Sequence, residues 1–252
     1  MMIDNFILVY YLQKTEINTP DWFPRKANLV EIAKEKYWRK MLHMMYRQLD
    51  IFYPNAKIHI VTNEHNLPKN DRVIFHYFSD LNGLMSKFKI FNLIEEPAMY
   101  LDLDVLLTRQ FEDKHLETEF PFNVFRKYKG NIPAIQGIPG LQDVVRAYNT
   151  GIVWVKEPNE KMEKQLLEYQ QQYFSNQEQL NKLRVLSGND EHALAVYIIR
   201  NNYLMKTFEE LSKPRDEIKC FSKLKDYQSI HYMGIHKKMM GLESFILHGK
   251  VL

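Results

Sequence analysis

An unbroken apolar run, Phe6-Ile-Leu-Val-Tyr-Tyr-Leu12, opens an alternation of two periodicities that leaves few folds open to this chain. A run this rich in β-formers predicts a central strand buried on both faces. Leu29, Ile32, Ala33, Tyr37, Met41, Met44 and Met45 then recur at helical spacing. That pattern stops before Tyr53-Pro54-Asn55, where proline pushes the residue before it out of helical geometry. Lys57 to Thr62 (KIHIVT) predicts a second strand and Arg72 to Phe78 (RVIFHYF) a third. Leu81 to Leu93 returns to helical spacing through Leu84, Met85, Phe88 and Leu93, and Met99 to Leu107 has strand character again. Strand and helix in this order predict an α/β fold with a Rossmann-like, mostly parallel central sheet flanked by helices, whose ligands lie beyond the carboxyl ends of the strands.

Beyond Phe111 the order changes. Lys127 to Gly140 holds Gly130, Pro133, Gly137, Pro139 and Gly140, which predicts a loop. Tyr148 to Val155 predicts a strand and Met162 to Phe174 a helix with a Gln-rich solvated face. Glu191 to Ile199 predicts a helix begun by Asn189 or Asp190. No internal repeat occurs.

Composition narrows the function classes. With 45% hydrophobic and 26% charged residues among 252, the chain can bury a sizeable core and is neither disordered nor collagen-like. A net charge of +3 is too mild to argue for nucleic acid or a membrane surface as partner. The longest apolar run falls far short of the roughly 20 residues that span a bilayer, and no leader pattern precedes it. We therefore expect no integral membrane segment and a cytoplasmic setting. Cys220 is the only cysteine, which excludes an internal disulfide and a Cys-rich zinc site.

The segment richest in chemistry is Met99-Tyr-Leu-Asp-Leu-Asp-Val-Leu-Leu107, where two carboxylates interrupt an apolar strand. Period two would set Asp102 and Asp104 on one side of that strand, roughly 7 Å apart, with Leu101 and Leu103 opposite. Two anions so close in a half-buried site repel unless a cation lies between them, and a divalent metal is the simplest occupant.

Tyr100-Leu-Asp-Leu-Asp-Val resembles the DxD motif of metal-dependent sugar-nucleotide glycosyltransferases of the GT-A fold, especially glycosyltransferase family 8, the glycogenin and galactosyltransferase-like group. Further segments match in the family's order: Ser86-Lys87-Phe88, Tyr148-Asn149-Thr150-Gly151, Asp190-Glu191-His192-Ala193-Leu194, and His231-Tyr-Met-Gly234-Ile-His-Lys237 in place of the family's HxxGxxK. The resemblance implies a GT-A domain over residues 1–252, with a donor-binding half over about 1–110 and an acceptor-binding, metal-completing half over about 111–252. It implies a metal site of Asp102, Asp104 and His231 holding Mn²⁺ or Mg²⁺, and an imidazole beside two carboxylates suits Mn²⁺. Gly234 would let the backbone approach a diphosphate and Lys237 would supply a cation to it. Lys87 would reach the donor's phosphate or sugar, with Lys89 facing elsewhere. Val9 and Tyr11 would touch the uracil base.

Asn149 and Gly151 match the family's N-x-G at the sugar, and Asp190 matches an aspartate that binds sugar hydroxyls. Here the sequence departs from the family: its usual Gln after that Asp is Glu191, and the Asn one turn later is Ala195. Glu191 can carry charge where glutamine only hydrogen-bonds. The implied activity is transfer of a sugar from a UDP-sugar or similar nucleotide donor to a hydroxyl of a glycan, protein or small molecule, with retention. Lys127 to Gly140 would shape the acceptor side. Two alternatives remain at this point, a non-catalytic sugar-nucleotide or glycan-binding module of the same fold, and a metal-dependent phosphoryl or nucleotidyl transferase. The second lacks a phosphate-cradling GxxxxGK[ST] loop.

Overall fold

A computed structural model describes residues 3–11, 35–79, 83–128, 132–184, 190–208, 210–211, 213–232 and 240–248. Strands β1 (Asn5–Tyr10), β2 (Lys57–Thr62), β3 (Val73–Tyr77) and β4 (Ala98–Leu101) are mutually parallel. A short β5 (Val105–Leu107) follows, then β6 (Phe122–Tyr128) and β7 (Ala147–Val155). The main sheet has the order β3-β2-β1-β4-β7-β6, with β7 antiparallel to both neighbours. β5 leaves it and joins β8 (Lys213–Pro214) and β9 (Ser229–His231) in a small sheet of order β5-β9-β8. The helices are α1 (Glu35–Phe52), α2 (Asp113–Leu116), α3 (Ile132–Gln136), α4 (Glu160–Phe174), α5 (Gln177–Leu183), α6 (Asp190–Arg200) and α7 (Met240–His248), with a 3₁₀ helix over Gly83–Asn92.

The two-sided burial of β1 follows from its period. Phe6, Leu8 and Tyr10 enter one apolar layer with Met41, Leu42, Met45 and Leu49 of α1 and Val105 and Ile230 of the small sheet. Ile7 points the other way, into a layer with Phe88 and Phe91 of the 3₁₀ helix, Leu166 of α4 and Leu194 of α6. β4 divides likewise, Met99 and Leu101 to the first layer and Ala98 and Tyr100 to the second. Each large side chain so buried contributes about 1.5–3 kcal/mol relative to exposure, so a continuous apolar strand suits only this central place. No helix among the described residues is long and apolar enough to cross a membrane.

Several expectations change. Met99 to Leu107 is not one strand: it breaks after Leu101, and Val105 N donates to Asp102 O at 3.1 Å across a turn before β5 begins. Asp102 and Asp104 therefore flank a turn, and the period-two argument for their common side does not hold. Within the expected helix Leu81 to Leu93, whose first two residues lie outside the described ones, Gly83–Asn92 winds as a 3₁₀ helix, and its period of three lines up the buried Phe88 and Phe91. Lys127 to Gly140 is only partly loop, since β6 runs to Tyr128 and α3 follows with Pro133 in its first turn, where a missing N–H costs little. Gly140, at φ +86°, occupies the left-handed region that glycine supplies. Gln170 is buried, so the Gln-rich face of α4 is not wholly solvated. Leu12, Leu29, Ile32, Ala33 and Asn189 lie outside the described residues.

Candidate active site

The chain turns off the sheet beside the carboxyl ends of β1 and β4, and β2 lies on the other side of β1. This is a topological switch point, the place where open α/β sheets leave a crevice. Asp102 follows β4 directly, and its N–H donates to Gly151 O at 2.8 Å on the antiparallel β7. The β6–β7 register shifts between Val124 and Arg126, opposite Asn149 to Val153. A bulge of this kind re-aims side chains, and here the affected residues are Asn149, Thr150 and Gly151.

Pairing of β9 with β5 puts His231 opposite Val105, one residue past Asp104. His231 Nε2 lies 3.1 Å from Asp104 Oδ1 and 3.8 Å from Asp102 Oδ2. One ligand atom from each of the three lies within 4.8 Å of the others, and Asp104 and His231 are buried. Two carboxylates and an imidazole that close fit a divalent cation, whose binding requires the neutral imidazole and ionised carboxylates. The other ring nitrogen, Nδ1, lies 3.1 Å from Asn149 Oδ1. Gly151 makes room for the ring: a Cβ there would stand 2.6 Å from His231 Cε1 and 2.8 Å from Nδ1.

Lys87 is not a solvated helical lysine. Its Nζ lies 2.9 Å from Asp102 Oδ1, 3.0 Å from Asp190 Oδ2 and 3.1 Å from Thr150 Oγ1, with a side-chain exposure of 13%. Burial alone would lower its pKa, but the charges of Asp102 and Asp190 outweigh that and hold it well above the ordinary lysine value. Tyr100 donates its hydroxyl to Asp102 Oδ1, and Thr150 donates to Asp190 Oδ2. Burial first, and then the negative charge of Asp102, keeps the Tyr100 phenol protonated far above its usual range. Lys89 faces α4, where it pairs with Glu163 at 2.8 Å.

Asp190 and Glu191 begin α6, so their charges also meet the positive end of its dipole. Glu191 Oε1 accepts from Asn149 Nδ2 at 2.8 Å, which ties it through Asn149 to His231. Burial, reinforced by the neighbouring Asp190 charge, raises the Glu191 carboxyl from 4.5 to about 7. His192, next on the helix, is buried against Phe174 and lowered to about 4 by that burial.

Asp102, Asp104, His231, Asn149, Gly151, Lys87, Asp190 and Glu191 thus meet in one cluster drawn from both halves of the chain. Val9 stands at the end of β1 and Tyr11 just past it, both partly buried against the apolar layer of Phe88 and Phe91. Gly234 and Lys237 lie outside the described residues. Sequence reasoning gave Tyr100 and Thr150 no role of their own. Tyr100 sits two positions before Asp102, a spacing that could have paired them, whereas the Thr150–Asp190 contact spans 40 positions and left no local signal.

No protein-family model matches the sequence, and comparison with curated proteins finds no match. Solved structures do resemble the chain. The glycosyltransferase GlyE of Streptococcus pneumoniae TIGR4 superposes with a TM-score of 0.58 at 13% identity, over 99% of this chain and 63% of that one. This chain therefore spans less than two thirds of GlyE. The galactosyltransferase LgtC, in complex with donor and acceptor sugar analogues, gives 0.57 at 9% identity over 95% of each chain. The fold is GT-A. An active-site glutamine-to-glutamate mutant of LgtC also matches, with a TM-score of 0.54 at 11% identity over 91% of this chain and 87% of that one. In this GT-A chain the acidic cluster lies where the sheet's switch point leaves its crevice, and the solved structures it resembles are glycosyltransferases.

Proposed function

We propose that the chain transfers a sugar from a UDP-linked donor to a hydroxyl of a glycan, protein or small-molecule acceptor, with retention, using Mn²⁺ held by Asp102, Asp104 and His231. The observation that carries this reading is the convergence of those three side chains beside the Lys87–Asp190 pair. When bound, the divalent ion supplies Lewis-acid neutralisation of the charge that develops on a departing diphosphate. The protein's own groups do the rest. Asp190, pinned by Lys87 and Thr150, presents a fixed acceptor to sugar hydroxyls, and fixing it beforehand lowers the cost of ordering the donor. Glu191, with its carboxyl raised to about 7, can donate as well as accept a hydrogen bond near neutral pH. Asn149 orients both Glu191 and the His231 ring. Lys237 and Gly234 would complete the phosphate contacts.

A panel of UDP-sugars incubated with the protein and Mn²⁺ tests the reading through slow release of UDP. One sugar should stand out, EDTA should stop the release, and Mn²⁺ should restore it best. Release of UDP undiminished by chelator would overturn the metal assignment. Tight UDP binding without turnover of any donor would leave a binding module instead.

A further inference from the structure

Resting on the metal reading above, we propose that Lys87 is a resident cation that couples the metal centre to Asp190 by sharing Asp102 with the divalent ion. Lys87 Nζ reaches both oxygens of Asp102, at 2.9 and 3.1 Å, and Oδ1 also accepts the Tyr100 hydroxyl. The oxygen nearer to His231, Oδ2, is therefore already engaged by an ammonium. A second cation bound at Asp102 and Asp104 meets Lys87 across a single carboxylate. Two like charges a few ångströms apart in a partly buried site repel appreciably even at an effective dielectric constant of about 20. Lys87 has somewhere to go without losing its charge balance, because Asp190 at 3.0 Å and Thr150 at 3.1 Å stand on its other side. Loading the metal thus loosens the hold on Asp102 and leaves the ammonium to Asp190, the group that would receive the sugar. Linkage makes the coupling reciprocal: whatever draws Lys87 toward Asp190 strengthens metal binding by the same factor. Asp190 then influences metal affinity although it is no ligand and lies 103 positions from Lys87 in sequence.

The experiment measures Mn²⁺ affinity at pH 7.5, reading free Mn²⁺ by electron paramagnetic resonance. It compares wild type, Lys87→Met, Asp190→Asn, the double variant and Lys89→Met. Removing the competing cation in Lys87→Met should tighten Mn²⁺ binding by about tenfold. Asp190→Asn, which leaves Asp102 as the only carboxylate for Lys87, should weaken it by roughly three- to tenfold, and most of that effect should vanish in the double variant. Lys89→Met should bind as wild type does. Weaker or unchanged binding in a folded Lys87→Met overturns the inference, and so does an Asp190→Asn effect of the same size in both backgrounds. If Lys87→Met does not fold, the isosteric Asp190→Asn decides alone, and unchanged affinity there overturns the inference. Failure of wild type to bind Mn²⁺ at all overturns the metal reading as well, which separates the two failures.

Discussion

Two of the buried ionic networks among the described residues differ in their charge balance. In the first, Arg215 grips Glu243 through Nε and one terminal nitrogen at 2.7–2.9 Å and donates to Ile218 O at 2.7 Å. Tyr232 donates to the same carboxylate, which is 2% exposed. One cation meets one anion: Arg215 opens a 3₁₀ turn just after β8, Tyr232 follows β9, and Glu243 lies on α7. In the second, the Lys87 ammonium faces both Asp102 and Asp190, with Asp104 and Glu191 close by. The first network is complete as it stands. Among the described residues the second gathers more carboxylates than cations, an arrangement that burial makes costly and that suits a site for a cation and a polar ligand. Balance separates scaffold from site more clearly than burial does.

Breaking the balanced network should produce the largest effect on folding. Glu243→Ala leaves Arg215 buried without its partner and should lower the unfolding free energy by about 3–5 kcal/mol, measured by denaturant titration. Mn²⁺ affinity of the folded protein should change less than about threefold. An equal stability loss in the acidic cluster would erase the contrast. Asp104→Asn is the matching test: it removes surplus charge, so the thermal midpoint should hold or rise, while UDP release should fall by about a hundredfold, near 2.7 kcal/mol. A marked loss of stability in Asp104→Asn would assign Asp104 to the scaffold.

The contrast also explains what the sequence could disclose. β2 is read correctly from Lys57 to Thr62 because its signal is local, an apolar run between breakers. The site depends instead on where such runs fail. The turn after Leu101, the bulge of β7 and the three-residue strands β5 and β9 are too short to carry a period, and only their pairing brings His231 to Asp104. The resemblance supplied the membership of the cluster, residue by residue, but nothing in the sequence shows that Lys87 bridges Asp102 and Asp190. Nor does any local pattern show that Arg215 and Glu243, 28 positions apart, are partners.

Gly151→Ala sharpens the comparison without touching a charge. The added Cβ would come within 2.6 Å of a ring atom of His231, so the imidazole must shift or β7 must give. The ring lies 3.1 Å from Asp104, and on the proposed metal site a displaced His231 should weaken Mn²⁺ binding by about tenfold, roughly 1.4 kcal/mol. Gly137→Ala is the control, because its nearest contact, at 3.0 Å, is the end of the Leu183 side chain. Equal effects on Mn²⁺ affinity at both glycines would mean that His231 adapts freely and that Gly151 is no part of the site's construction.

The smallest change is expected for Glu191→Gln, where the chain departs from the family it resembles. Asn149 Nδ2 can donate to a Gln oxygen as it does to Glu191 Oε1, so the local geometry survives the substitution. Catalysis should therefore change less than about tenfold, under roughly 1.4 kcal/mol. The pH dependence is more telling. With the folded carboxyl raised from 4.5 to about 7, the unfolded chain releases this proton first, so wild type loses stability as pH rises from about 4.5 through about 7 and levels off above it. Glutamine has no such proton. Glu191→Gln should be the more stable form at pH 8, by about 1–2 kcal/mol once the shared network is allowed for, and the two should converge below about pH 4.5. Chemical denaturation at both pH values reads that difference directly. If Glu191 only hydrogen-bonds a sugar hydroxyl, the rate profile should lose its inflection near pH 7 while donor affinity holds. If its charge steadies a positive anomeric carbon, kcat should fall far more than tenfold at unchanged donor affinity, because that interaction strengthens only as charge develops.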